Sequence, residues 1–159
     1  MRSLWTEDKD NLPLSEISQH LPGVDVDAWI SCAKTSVYGH HPYSGYRVGA
    51  AGLSSEGHFR FGTNVEDASF GGTICAERTS ITRMVSEGLL GGGKELIGMA
   101  LYTEPKSTPC GHCFSMMLEF MPDSGTFAIV SLDQSSSRLQ VLNIEALRSL
   151  IWSRKFIRT

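Results

Sequence analysis

Leu96-Ile97-Gly98-Met99-Ala100-Leu101-Tyr102-Thr103 decides the fold class. These eight residues are apolar or small almost throughout and follow the flexible link Gly91-Gly92-Gly93. A short run with no polar alternation reads as a strand buried on both faces, so something must pack on each side of it. The neighbouring segments supply candidates. Before it, Gly71-Gly72 breaks the chain, Thr73 is expected to cap a helix over about 74–87, and Gly88 stops that helix. After it, Pro109 precedes a helix over about 110–121 that Pro122 ends. Further out, Tyr46 to Leu53 and His58 to Val65 form a hairpin about Ser54-Ser55-Glu56-Gly57. Thr126 to Leu132 reads as a fourth strand and Arg138 to Leu142 as a fifth. Val26, Trp29, Ile30, Ala33 and Val37 recur at helical spacing behind Asp25, the expected N-cap. Ile144, Leu147, Leu150 and Ile151 mark a terminal helix. The order implies a sheet with helices packed on its faces.

Composition bounds the rest. A chain of 159 residues suits one domain with an adequate core. We expect residues 1–23 to be a polar extension, with Leu12, Leu14, Ile17 and Leu21 on one short helical face, and residues 24–159 to form the single domain. With 41% apolar and 19% charged residues, disorder, collagen and coiled coil are poor readings. The net charge of −3 argues against a polynucleotide partner. The two ends differ in charge: six acids and two bases over residues 1–27, four bases and no acid over residues 148–159. Both read as solvated ends. No apolar run is long enough to span a bilayer, and Met1 to Trp5 lead into acids with no signal-peptide core, so the expected location is the cytoplasm.

Two short stretches carry chemistry: Cys75-Ala76-Glu77 and Pro109-Cys110-Gly111-His112-Cys113. Each begins a helix after a loop. Cys110 and Cys113, three apart, share a helix face, and Cys75 must come from the other segment. Three thiolates suit a zinc ion with one open position, which is the layout of catalytic zinc. Glu77 stands at a helix start, where a carboxylate can face that position and move protons. Three cysteines with such a glutamate are the pattern of zinc-dependent deaminases. Zinc with three thiolates is formally anionic and a poor activator of water. The N-termini of both helices offset this. Arg78 can also offset it by donating to a thiolate sulfur. Cys32, on the apolar face of the first helix, reads as a core residue, and His112 between two ligands as pointing away from the metal.

The sequence resembles the small homotetrameric cytidine deaminases. The resemblance runs from about Ala28 to Glu119. It rests on Pro42-Tyr43-Ser44-Gly45-Tyr46-Arg47-Val48-Gly49-Ala50-Ala51, Asn64-Val65-Glu66-Asp67-Ala68-Ser69, Ile74-Cys75-Ala76-Glu77-Arg78-Thr79, Ser86-Glu87-Gly88 and Pro109-Cys110-Gly111-His112-Cys113, in that order. It implies a three-layer α-β-α sandwich with a mixed five-stranded sheet and helices on both faces. It implies one Zn²⁺ per subunit on Cys75, Cys110 and Cys113, with Glu77 as proton shuttle. Asn64 and Glu66 would bind the ribose 3′-hydroxyl, Tyr46 would stack on the base, and the main chain of Ala76 would contact the pyrimidine. Phe70 and Phe156 match aromatic positions that reach a neighbouring subunit, so the expected assembly is a homotetramer with shared sites. The implied substrate is free cytidine or deoxycytidine, and the implied role is pyrimidine salvage.

The chain departs from the pattern in places. Phe114-Ser115 stands where Arg-Gln commonly follows the last cysteine, and Tyr46 and Phe70 trade a hydroxyl relative to the usual residues. Two other readings follow. One keeps the chemistry but changes the substrate to another cytosine nucleoside or to a cytosine antibiotic of the blasticidin S kind. The other is a non-enzymatic structural zinc domain, which needs a fourth protein ligand, with Cys32 the only spare cysteine.

Overall fold

A computed structural model describes residues 5–11, 13–35 and 38–150. Among them lie β1 (Trp5–Asp10), α1 (Leu14–His20), α2 (Val26–Thr35), β2 (Val48–Ser54), β3 (Phe59–Thr63) and α3 (Ala76–Ser86). These are followed by β4 (Leu96–Thr103), α4 (Gly111–Phe120), β5 (Thr126–Leu132), β6 (Ser137–Asn143) and α5 (Ile144–Leu150). The strands form one mixed sheet in the order β1-β6-β5-β4-β2-β3. β4 and β5 run parallel, and the other neighbours are antiparallel.

The sheet has six strands where five were expected. β1 is the additional one, and it pairs with β6 along Asp8↔Gln140 and Asp10↔Arg138. Its sequence, Trp5-Thr6-Glu7-Asp8-Lys9-Asp10, lacks apolar alternation, and the strand lies at the edge of the sheet. Asp8 accepts two hydrogen bonds of 2.7 Å from Arg138, and these hold its carboxyl below the usual carboxylate range.

Side chains alternate across the sheet and build two cores. Ala50, Met99, Leu101, Phe127, Ile129 and Leu142 face α3, α4 and α5. Ala51, Leu53, Ala100, Ala128, Val130 and Leu139 face α1 and α2. The expected three layers are present. Asp25 caps α2 through Ala28 N–H at 3.0 Å, as its position predicts. Trp29, fully buried on that helix, donates from Nε1 to the Ala51 carbonyl at 2.9 Å.

Small residues draw α3 onto β2 and β3. A Cβ on Gly62 would sit 2.2 Å from Ser80 N and 2.3 Å from the Ala76 carbonyl, both backbone atoms of α3. Ser80, itself fully buried, donates to the Arg60 carbonyl at 2.7 Å and accepts from Gly52 N–H at 2.8 Å. One hydroxyl thus stitches the helix to two strands. This seam fixes the start of α3.

Candidate active site

The N-termini of α3 and α4 meet near the C-terminal end of β4. Cys75 and Cys110 are the N-cap residues of these helices, both in extended backbone conformation. Thr73, expected to cap α3, lies two residues too early; its hydroxyl instead accepts from Asp67 N–H at 3.1 Å. Cys113 sits in the first turn of α4 and is buried. The sulfurs of Cys75 and Cys110 are 3.9 Å apart, and those of Cys110 and Cys113 are 3.5 Å apart. All three lie within 4.8 Å of one another. Such convergence of soft donors fits Zn²⁺.

No fourth cysteine or histidine joins them among the described residues. Cys32 packs with the α1/α2 core, on the opposite face of the sheet. Burial pushes its thiol up, as for an inert core residue. His112 is exposed and stands outside the cluster, as expected. Phe114 is half-buried against the α3/α4/α5 core, and Ser115 is exposed.

The electrostatics follow from this packing. Cys75 is held well below the ordinary thiol range, chiefly by a hydrogen bond from Cys113 and further by Arg78. Cys113 is raised by the same bond and by burial. Arg78 Nη2 donates to the Thr73 carbonyl at 2.8 Å and lies 3.8 Å from Cys75 Sγ. Burial works against its charge, but the contact with Cys75 outweighs it. Glu77 is only 5% exposed, and burial raises its pKa above the usual carboxylate range.

A cavity of about 220 Å³ opens beside the thiols. Cys75, Cys110, Glu77, Asn64, Tyr46 and Thr103 are among its walls. Ala76 is fully buried at the start of α3. Asn64 is braced within the fold: Oδ1 accepts from Val48 N–H at 3.0 Å, and Nδ2 donates to the Tyr46 carbonyl at 2.7 Å. Val65 and Ile74 exchange two backbone bonds of 2.9 Å, tying this segment to Cys75.

Glu66 does not line the cavity. Its carboxylate accepts from the Ser44 hydroxyl, from Tyr43 N–H at 2.9 Å and from Ser44 N–H at 3.1 Å. The Ser44 hydroxyl is the main reason its pKa is lowered. Phe70 is 66% exposed, at a φ of 57°, with its ring 5.9 Å from that of Tyr43. Phe156 lies outside the described residues.

The sequence reading did not single out Thr103, Ser107 and Thr108, which also line the cavity. Period-two alternation offered a signal for Thr103. It shares the parity of Met99 and Leu101 and so faces the cysteine-bearing helices.

Three thiols at two helix N-termini, with a buried glutamate in the same cavity, are the site of the zinc-deaminase class. Residues 25–128 match the family described as "Cytidine and deoxycytidylate deaminase zinc-binding region", and the chain belongs to that family. A probable cytidine deaminase of Dictyostelium discoideum is 40% identical over 71% of this chain and 74% of its own length. A cytidine deaminase of Halalkalibacterium halodurans is 40% identical over 51% of this chain and 60% of its own. Among solved structures, cytidine deaminase from Burkholderia pseudomallei superposes with a TM-score of 0.64 at 30% identity, covering 76% of this chain and 94% of that one. The Mycobacterium tuberculosis enzyme gives 0.63 at 27% identity, covering 82% and 98%. Among the described residues no helix is long and apolar enough to cross a membrane.

Proposed function

We propose that the protein hydrolyses free cytidine or deoxycytidine to uridine or deoxyuridine and ammonia. The observation that carries this reading is the convergence of three cysteine sulfurs within 4.8 Å beside a cavity that also holds buried Glu77. Cys75, Cys110 and Cys113 would hold one zinc ion, which when bound supplies the Lewis acidity that makes water a nucleophile at neutral pH. Glu77 takes a proton from the attacking water and delivers one to ring N3. Water oxygen bonds to C4, the C4–N bond breaks, and Glu77 carries the remaining proton to the departing amine. A buried carboxylate with raised proton affinity suits both steps. Arg78 offsets the charge of the thiolates through Cys75.

Asn64 and Glu66 are assigned to the ribose, Asn64 from the cavity wall and Glu66 through the Tyr43–Ser44 turn it braces. Tyr46 stacks on the base, and the Ala76 main chain meets the pyrimidine. We take residues 24–159 as the catalytic domain, with residues 1–23 added to it. A cytoplasmic homotetramer serving pyrimidine salvage fits the resemblance. Phe70 and Tyr43, both exposed, suit a subunit contact, and Phe156 is assigned to the same role.

The test is the ultraviolet change as cytidine becomes uridine, run with deoxycytidine and blasticidin S in parallel. Turnover of either nucleoside supports the proposal. Turnover of blasticidin S alone would move the substrate elsewhere, and a zinc-loaded protein inert on all three would overturn it.

A further inference from the structure

The loop between β4 and α4 forms one wall of the cavity through Ser107 and Thr108 and then delivers Cys110. On the cavity side it is held through one carbonyl. Pro105 O accepts from Thr103 Oγ1 at 2.7 Å and from the Tyr46 hydroxyl at 3.4 Å. Thr103 is 3% exposed, and both Thr103 and Tyr46 line the cavity themselves. They arrive from different strands' ends, since Thr103 closes β4 and pairs with Val48, the first residue of β2. Tyr46 also borders a second cavity of about 280 Å³, which Tyr102 and Glu104 line as well.

Outside the cavity the same loop is tied to the β5–β6 turn. Glu104 Oε1 accepts from Gln134 N–H at 2.6 Å, and Lys106 Nζ donates to Ser136 Oγ at 2.9 Å. The outer ties hold the loop to the sheet. The inner pair aims it at the substrate.

We propose that Thr103 and Tyr46 are positioning residues whose hydroxyls clamp the Pro105 carbonyl and so set the wall formed by Ser107 and Thr108 against the bound nucleoside. The inference rests on the deaminase reading for its kinetic consequence. A wall that binds substrate and transition state alike affects KM and leaves kcat unchanged. The Tyr46 hydroxyl has a use beyond stacking, which a phenylalanine would supply equally well.

Thr103→Val keeps the shape and removes the hydroxyl. The expected result is a KM for cytidine raised roughly fivefold, the equivalent of one lost hydrogen bond, with kcat and bound zinc unchanged. Thr103→Ser should restore KM, and Tyr46→Phe should raise it by a smaller factor. Amide hydrogen exchange at Ser107 and Thr108 should quicken in Thr103→Val and return to the parent rate in Thr103→Ser. An unchanged KM, a loss of kcat or zinc in step with KM, or failure of the serine to restore it would overturn the proposal. If the parent protein deaminates no nucleoside, the functional reading fails, and exchange alone then decides the clamp: unchanged rates at Ser107 and Thr108 would contradict it.

Discussion

Arg78 Nη2 links the Cys75 sulfur to the segment before it, donating to the Thr73 carbonyl at 2.8 Å and standing 3.8 Å from Cys75 Sγ. The carbonyl fixes the guanidinium, and the guanidinium then faces the sulfur. Phe114 and Ser115, which follow Cys113, carry no charge. The load of offsetting three thiolates therefore falls on Arg78 and the two helix N-termini.

Replacing that guanidinium should be costly. For Arg78→Gln, we expect metal affinity or kcat to fall by about 10- to 100-fold, with the fold retained by circular dichroism. Zinc titration against a chelator, and kcat at full zinc loading, measure the two contributions. A variant equal to the parent in both would remove Arg78 from the site's electrostatics.

Glu77→Gln keeps size and hydrogen bonding but cannot shuttle a proton. We expect one zinc per chain and a kcat reduced by about 10²- to 10⁴-fold. Metal analysis beside the ultraviolet assay checks this, and retained turnover would assign the proton transfers elsewhere.

Gly62 tests the seam that places α3. A methyl group there meets the backbone at Ser80 N and Ala76 O at 2.2 and 2.3 Å, where no side chain can turn aside. Gly62→Ala should therefore destabilise the protein by about 1–3 kcal/mol or more, read by denaturant unfolding. Zinc affinity should fall with it, because Cys75 and Glu77 ride on the displaced helix. A parent-like midpoint would mean that α3 relaxes without cost.

Much of this was legible in the sequence. The bounds of β4 and β5 match the apolar runs to the residue, because strands covered on both faces leave no ambiguity. The cysteines and Glu77 were legible because the ligand chemistry permits few residue types. β1 was not, since an edge strand gains its stability from backbone pairing that side-chain pattern does not record. Thr103 looked like the end of a buried strand, and its hydroxyl's partner, a carbonyl two residues on, is a matter of loop geometry. The bracing of the Tyr43–Ser44 turn by the Glu66 carboxylate was not legible either, because those partners lie far from it in the chain and leave no local pattern.

Asp133 organises the β5–β6 turn, accepting from Ser135 N–H at 2.8 Å and Ser136 N–H at 2.7 Å. These bonds, that of Ser135 first, lower its pKa from 3.8 to about 2. A depressed carboxylate stabilises the fold above its unfolded pKa, and that stabilisation fades as pH falls toward the folded value. Asp133→Ala should therefore melt below the parent at neutral pH. Part of the gap, due to the charge, should narrow as pH drops from 3.8 toward 2. A gap independent of pH would show that the ionised form has no preference for the turn.

The most direct test of the central claim is zinc content and cytidine turnover measured on the same sample as zinc is added back to chelator-stripped protein. The account predicts that turnover rises in proportion to bound zinc and saturates at one zinc per chain, a stoichiometry that Cys110→Ser abolishes. Full zinc loading without turnover of any cytosine nucleoside, or turnover that persists without zinc, would contradict it.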